Sequence, residues 1–328
     1  MQTRLLSSPG TRTRRFRSGP GLLIIILLAL LVLAVLVAVI WSVSKKREHP
    51  GDKDPDDITP SPYEFEEVEV TEPFIDFAGQ HVPIVDGVPT NDYGAENFTV
   101  NSDGWVEYTA GWFAHGVDVS AHQERIDWEA VAESGVEFAM IRAAYRGYGS
   151  GRLLLDDMFY ENLEGALNAG LEVGVYVFSQ AVNVKEAVEE ADFLLEAVEG
   201  FPVTYPLVFD WERITYDDAR TAELGPEVMS ACAMAFCQRV AEAGYQPSVY
   251  INMTQGYFDF DLKIISQYDI WLAEYDDHPD FYYHFSLWQY TSEGYVPGIE
   301  GEVDLNMMFI KRGEPASAPD PSPATQEK

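Results

Sequence analysis

The stretch "PLVFDWE", residues 206–212, ends an apolar run in two carboxylates, Asp210 and Glu212. In an extended chain successive side chains point to opposite faces, so residues two apart share one face. Asp210 and Glu212 therefore reach into the same space. Like charges that are close together and partly desolvated raise one pKa and leave the other group ionised. A proton-bearing carboxylic acid beside a carboxylate is the equipment for breaking a glycosidic bond. Two residues along a strand advance about 6.5–7 Å, more than the roughly 5–5.5 Å that separates the carboxyls of a direct-nucleophile retaining pair. That spacing favours either an inverting water or assistance from a substrate N-acetyl group, with Glu212 as proton donor and Asp210 positioning or stabilising the attacking group.

With 54 acids in the chain, a single Asp or Glu is by default a solvated loop residue or a helix cap. Asp118 in "GVDVS" and Asp304 in "GEVDLN" join the pair as candidates because they lie at the edges of apolar runs. Tyr176, Tyr250, Trp271, Tyr275 and Trp288 also fall near strand ends, where rings can stack on sugar faces, although aromatics at strand spacing are more often core. Tyr176 and Trp288 stand first among them. The six histidines are scattered without metal-ligand spacing, and neither a nucleophile elbow nor a phosphate-binding loop is present, so no metal and no cofactor is expected. The loop "RGYGSG" follows a strand but opens no helix, which makes it a rim loop, with Arg146 and Arg152 read as solvated.

These residues need elements to hold them. Apolar, β-branched runs begin at residues 116, 138, 173, 206, 247, 269, 285 and 303. Helical periods lie between the earlier ones, at "IDWEAVAESG", "MFYENLEGALNAG", "VKEAVEEADFLLEAVEG" and "EVMSACAMAFCQRVAEAG". Strand then helix, repeated, implies an α/β fold with a parallel sheet covered by helices. Eight strand candidates within residues 111–312 predict an irregular TIM-like barrel with fewer helices than strands, since the last spacings are too short for full crossovers. In such a barrel the chemistry sits at the C-terminal strand ends. A doubly wound open sheet is the alternative, but its glycine fingerprint is missing.

The chain is 328 residues long and 47% hydrophobic, enough for one large domain plus accessories. A formal net charge of -33 excludes a polyanion such as nucleic acid as partner. Residues 1–21 carry five arginines and no acid. Residues 22–43 then run without charge or proline, which as a helix spans about 33 Å and predicts a single transmembrane helix in a lipid bilayer. The five arginines before it, against Lys45, Lys46 and Arg47 after it, place the N-terminus in the cytoplasm and the rest outside. Residues 44–62 read as a solvated stalk, residues 63–110 as an aromatic-bearing appendage without a period, and residues 313–328 as a disordered tail. Cys232 and Cys237, five apart on one helix, fall on different faces and read as buried thiols rather than a disulfide.

In order and at plausible spacing across residues 113–310, "GVDVSAHQERIDWEAVAESGVEFAMIRAAYRGYG", "YPLVFDWE", "GYQPSVYIN", "IWLAEY" and "LWQYTSEGYVPGIEGEVDLNM" resemble the family 25 glycoside hydrolases, the N-acetylmuramidase lysozymes. The resemblance implies an irregular eight-stranded barrel that cleaves the β-1,4 bond between N-acetylmuramic acid and N-acetylglucosamine in peptidoglycan glycan strands. It also implies catalytic acids at Asp118, Asp210, Glu212 and Asp304, with Glu212 as general acid. The reading from a different class is a glycan-binding ectodomain at the cell wall that has lost turnover. A chitinase-like hydrolase ranks below both, because the aspartate it would want two residues before Asp210 is Val208.

Overall fold

The computed structural model describes residues 73–214 and 219–310. The predicted transmembrane helix at 22–43, the basic segment before it, the stalk and the tail lie outside the described residues. Among the described residues, no helix is long and apolar enough to cross a membrane.

Eight strands form the centre: β5 (Trp112–Val119), β6 (Phe138–Arg146), β8 (Glu172–Ser179), β9 (Leu207–Trp211), β10 (Pro247–Asn252), β11 (Asp269–Ala273), β12 (Leu287–Gly294) and β13 (Val303–Ile310). From β5 to β12 neighbouring strands are parallel. β13 runs antiparallel to both β12 and β5, and β5 also pairs with β6, so the sheet closes on itself. Closure rules out the open doubly wound alternative and leaves no free edge among these strands.

The expected helices fill the early crossovers: α1 (Trp128–Glu133), α2 (Phe159–Asn168), α3 (Val184–Ala197) and α4 (Pro226–Glu242). Their ends carry the local signals that start and stop helices. Asp127 caps α1 by accepting from the Ala130 amide at 3.2 Å, Asn183 caps α3 by accepting from the Glu186 amide at 3.0 Å, and Pro226 opens α4 where no amide is needed. α3 stops before Gly200, whose φ of 85° suits a residue without a Cβ. After β10 there is one short helix, α5 (Leu262–Ile265), preceded by a π-turn at Gln255–Asp259, and no α-helix separates β11 from β12 or β12 from β13. The barrel is irregular on that side because too few residues remain there to build full crossovers.

Two apolar layers result. Leu207, Phe209 and Trp211 face outward to the helices, together with Phe236, Val240, Cys232 and Cys237 of α4. Both cysteines are free and buried. Inside the barrel a smaller cluster gathers Ala114, Phe138, Met140, Tyr176, Val208, Tyr250, Trp271 and Leu287. Gly116 is required there, since a Cβ on it would stand 2.2 Å from the Phe138 ring.

The N-terminal segment is built of two hairpins, β1 (Phe74–Phe77) with β2 (Gln80–Pro83), and β3 (Phe98–Val100) with β4 (Val106–Tyr108). It packs on the barrel wall. The Tyr283 hydroxyl accepts from the Val85 amide at 2.8 Å, Tyr93 stacks on Phe309 at 4.0 Å, and Phe98 meets Trp288 edge-on at 5.5 Å.

Two sequence-based expectations change. Arg146 is buried, not solvated: its Nε pairs with Glu190 Oε1 of α3 at 2.5 Å and its other nitrogens donate to the Gly151 and Glu186 carbonyls. The rim loop folds back as β7 (Leu153–Leu155), antiparallel to the end of β6, and that turn draws Arg146 inward over α3. The second change concerns Trp288, whose neighbours Leu287 and Gln289 occupy the inward positions. Trp288 therefore faces out, is wholly buried and donates from Nε1 to the Glu274 carbonyl at 2.8 Å. It is wall packing and cannot touch a ligand in the barrel mouth.

Candidate active site

Along β9 the side chains alternate, so Val208 and Asp210 point into the barrel and Glu212, one residue past the strand, continues the same row. Both carboxylates line a cavity of about 230 Å³ at the C-terminal strand ends. Asp118 from β5 and Asp304 from β13 line it too, and the register sets those two directly across from each other. Tyr176, Tyr250, Trp271 and Tyr275 complete the set predicted from sequence. Of the nine predicted site residues, Trp288 alone is elsewhere.

The sequence reading missed the polar groups that hold these acids. Gln289 Nε2 and Asn306 Nδ2 both donate to Asp118 Oδ2, at 2.8 and 2.7 Å. Gln289 Oε1 in turn accepts from the Tyr250 and Tyr275 hydroxyls at 2.9 and 3.1 Å, and Asn306 Oδ1 accepts from Trp271 Nε1 at 2.8 Å. Each had a signal. Asn306 stands two residues after Asp304 on the same strand face, and Gln289 is a polar residue inside an apolar strand. Arg142, the charged residue in the middle of "FAMIRAAY", also lines the cavity and pairs with Asp156 at 2.8 Å. Behind Glu212, Gln180 Nε2 donates to its backbone carbonyl at 2.7 Å and Gln180 Oε1 accepts from the Thr221 hydroxyl at 2.7 Å.

Electrostatics push every carboxyl in this mouth toward its protonated form. Burial raises Asp210, and the charges of Glu212 and Asp118 add to the rise against the pull of Arg142. Glu212 is raised by burial and then by Asp304. Burial and the facing Asp304 raise Asp118 despite its two amide donors, while Asp304 is pushed up to about 6 by burial. Asp210 Oδ1 is buried without a protein hydrogen-bond partner, an arrangement that costs stability unless the atom meets a ligand. The site can thus hold a proton on one acid, present an unsatisfied carboxylate oxygen beside it, and offer ring faces around both.

Among the described residues, one group of three side chains has ligand types for a cation: Asp276, Asp277 and His278, on the loop after β11. His278 Nδ1 lies 2.5 Å from Asp277 Oδ1, and that hydrogen bond raises the imidazole pKa, which favours an ion pair over a metal ligand.

An irregular (β/α) barrel with acids converging at its C-terminal mouth is the architecture of a glycosidase. Residues 117–299, more than half of the chain, match the glycosyl hydrolases family 25, and the chain belongs to that family. Among curated relatives, an autolytic lysozyme of Clostridium acetobutylicum is 27% identical over 194 residues, covering 58% of this chain and 54% of its own. This chain therefore spans about half the length of that relative. The uncharacterized protein YegX of Escherichia coli K12 is 30% identical over 218 residues, 62% of this chain and 72% of its own. Among solved structures, the modular autolysin LytC of Streptococcus pneumoniae in complex with a synthetic peptidoglycan ligand shares the fold, with a TM-score of 0.55 at 22% identity over 73% of this chain and 52% of its own.

Proposed function

We propose that this protein is a peptidoglycan hydrolase of the muramidase type, which cleaves the β-1,4 bond between N-acetylmuramic acid and N-acetylglucosamine. The observation that carries the reading is the pair Asp210 and Glu212, set by one strand on one face of the cavity, where burial and neighbouring charge raise both acids and keep them from ionising together. Glu212 gives its proton to the glycosidic oxygen as the bond to C1 breaks, and the leaving sugar departs as an alcohol. Asp210 steadies the positive charge at C1 and orients the oxygen that attacks there, which is either water or the sugar's own N-acetyl carbonyl. A water then supplies the hydroxyl left on C1, and its other proton goes to Asp210 when the water attacks directly, or to the deprotonated Glu212 when it opens the intermediate formed by the N-acetyl group. Asp304 helps to hold the proton on Glu212, Asp118 stands across from Asp304 at the same mouth, and Tyr176, Tyr250 and Tyr275 offer ring faces and hydroxyls to the sugars. The name of the Clostridium relative, a lysozyme, supports the substrate class.

The same reading places the barrel outside the cell, tethered by residues 22–43 with the N-terminus in the cytoplasm. Tethering would supply proximity to the wall.

The test is reducing-end release from purified sacculi. Glu212→Gln keeps the shape and removes the transferable proton, so the rate should fall by about 10²–10⁴. Mass analysis of the fragments should show N-acetylmuramic acid at the new reducing ends. A Glu212→Gln protein as fast as the parent would remove Glu212 from the role. Binding to sacculi with no fragments from the unaltered protein would favour a non-catalytic glycan binder.

A further inference from the structure

The catalytic cavity, at about 230 Å³, is smaller than the roughly 300–1,000 Å³ of pockets that enclose drug-sized ligands, so a polymer must continue outside it. A second groove of about 590 Å³ begins where it ends. Tyr275 lines both, and its hydroxyl donates to Gln289 Oε1 on the catalytic side at 3.1 Å. One wall of the groove is the turn between β3 and β4, with Asp103 and Val106. The other is the end of β12, with Glu293 and Tyr295, and Leu305 lies at the base. The hairpin wall lies in the N-terminal segment, outside residues 117–299, which match the family.

The walls are preformed. Asn101 Oδ1 closes the β3–β4 turn by accepting from the Asp103 and Trp105 amides at 3.0 and 3.1 Å. Trp105 packs edge-on against His115 of β5 at 5.1 Å, which fixes the hairpin to the barrel. Tyr295 is 66% exposed, yet its hydroxyl donates to Glu302 Oε1 at 3.1 Å, which holds the ring at the rim. Tyr275 is 56% exposed. Two exposed rings flanking a groove are surfaces for the C–H faces of sugars, and the carboxylates between them accept from hydroxyl and amide N–H groups. No lysine or arginine lines the groove, so an anionic segment would be repelled.

We propose that the β3–β4 hairpin and the end of β12 extend the cleft into a binding site for uncharged N-acetylated saccharide units beyond the cleaved linkage. The N-terminal segment then makes the enzyme prefer long glycan strands. This rests on the muramidase reading above.

The test uses the full chain and compares two wall-glycan oligosaccharides of defined length, a tetrasaccharide and an octasaccharide, with the lactyl carboxyls amidated so that both are uncharged. The unaltered protein should show a higher kcat/KM on the octasaccharide. Tyr295→Ala and Glu293→Lys should each cut the octasaccharide-to-tetrasaccharide ratio roughly three- to tenfold, chiefly through KM. A ratio unchanged in both variants, or an unaltered protein with no length preference, overturns the proposal. Calorimetric binding of the same two oligosaccharides to the Glu212→Gln protein, with and without Tyr295→Ala, decides the groove independently of turnover. Length-dependent affinity that Tyr295→Ala abolishes supports it, and affinity independent of length rejects it. If neither oligosaccharide is cleaved by the unaltered protein, the muramidase reading fails, while the calorimetry still settles whether the groove binds saccharide.

Discussion

Four carboxyls and one guanidinium share the barrel mouth, and the guanidinium of Arg142 is already paired with Asp156. The acids cannot all ionise there. Asp304, held at about 6 by burial, shows the consequence for stability. The native state keeps a proton that the unfolded chain releases near pH 4, so the native state binds more protons between those values and stability falls as pH rises from about 4 to about 6. Asp304→Asn should remove that slope and raise stability at pH 7 by about 1–3 kcal/mol, read as a higher urea midpoint. Equal midpoints for parent and variant at pH 7 would count against it. The same substitution removes the charge that helps raise Glu212. Any residual cleavage by Asp304→Asn should therefore show its alkaline limb at lower pH than the parent, since the general acid loses its proton earlier.

At the scale of the element, strand parity decides which side chains are chemical and which are structural. Trp288 sits between the inward positions Leu287 and Gln289, and truncating it empties the interface with Phe98 and Tyr290. Trp288→Ala should cost about 3–5 kcal/mol of stability, and at temperatures where the variant remains folded KM should be close to that of the parent. A large rise in KM without loss of stability would return Trp288 to the ligand site. Arg146 ties the end of β6 to α3. The Glu190 carboxyl opposite it is lifted to about 7 by burial, against the pull of the Ser179 hydroxyl and of Arg146 itself. Arg146→Met leaves that acid buried without its partner, and thermal or urea unfolding should report a loss of about 3–5 kcal/mol. The sequence signal for this burial was weak, because an arginine beside glycines in a loop is ordinarily solvated. Only the fold-back of Leu153–Leu155 onto β6 encloses it.

For the molecule as a whole, the described residues of the N-terminal segment and the barrel fall into a single compact unit. The segment satisfies itself against residues nearly 200 positions away, as in Val85 with Tyr283 and Tyr93 with the Phe285 carbonyl. No local period records such contacts, and that is why residues 73–110 gave no readable pattern. A chain beginning at residue 111 would leave Trp288, Phe309 and Tyr283 uncovered on the barrel wall. Its melting temperature should fall, and it should bind a hydrophobic dye that the full chain does not. A truncated barrel that melts with the full chain would show the segment to be dispensable for stability.

The sequence by itself determined the eight strands, the four longer helices and the shared face of Asp210 and Glu212, because periods of 2 and 3.6 residues are local properties that burial then selects. It also placed Asp118 and Asp304 at strand ends. What it could not contain was closure. Only the barrel brings Asp304 opposite Asp118, sets Gln289 and Asn306 on the same carboxylate oxygen, and turns the β3–β4 hairpin into one wall of a groove beside the catalytic cavity. Those arrangements depend on which strands become neighbours, and long-range packing decides that.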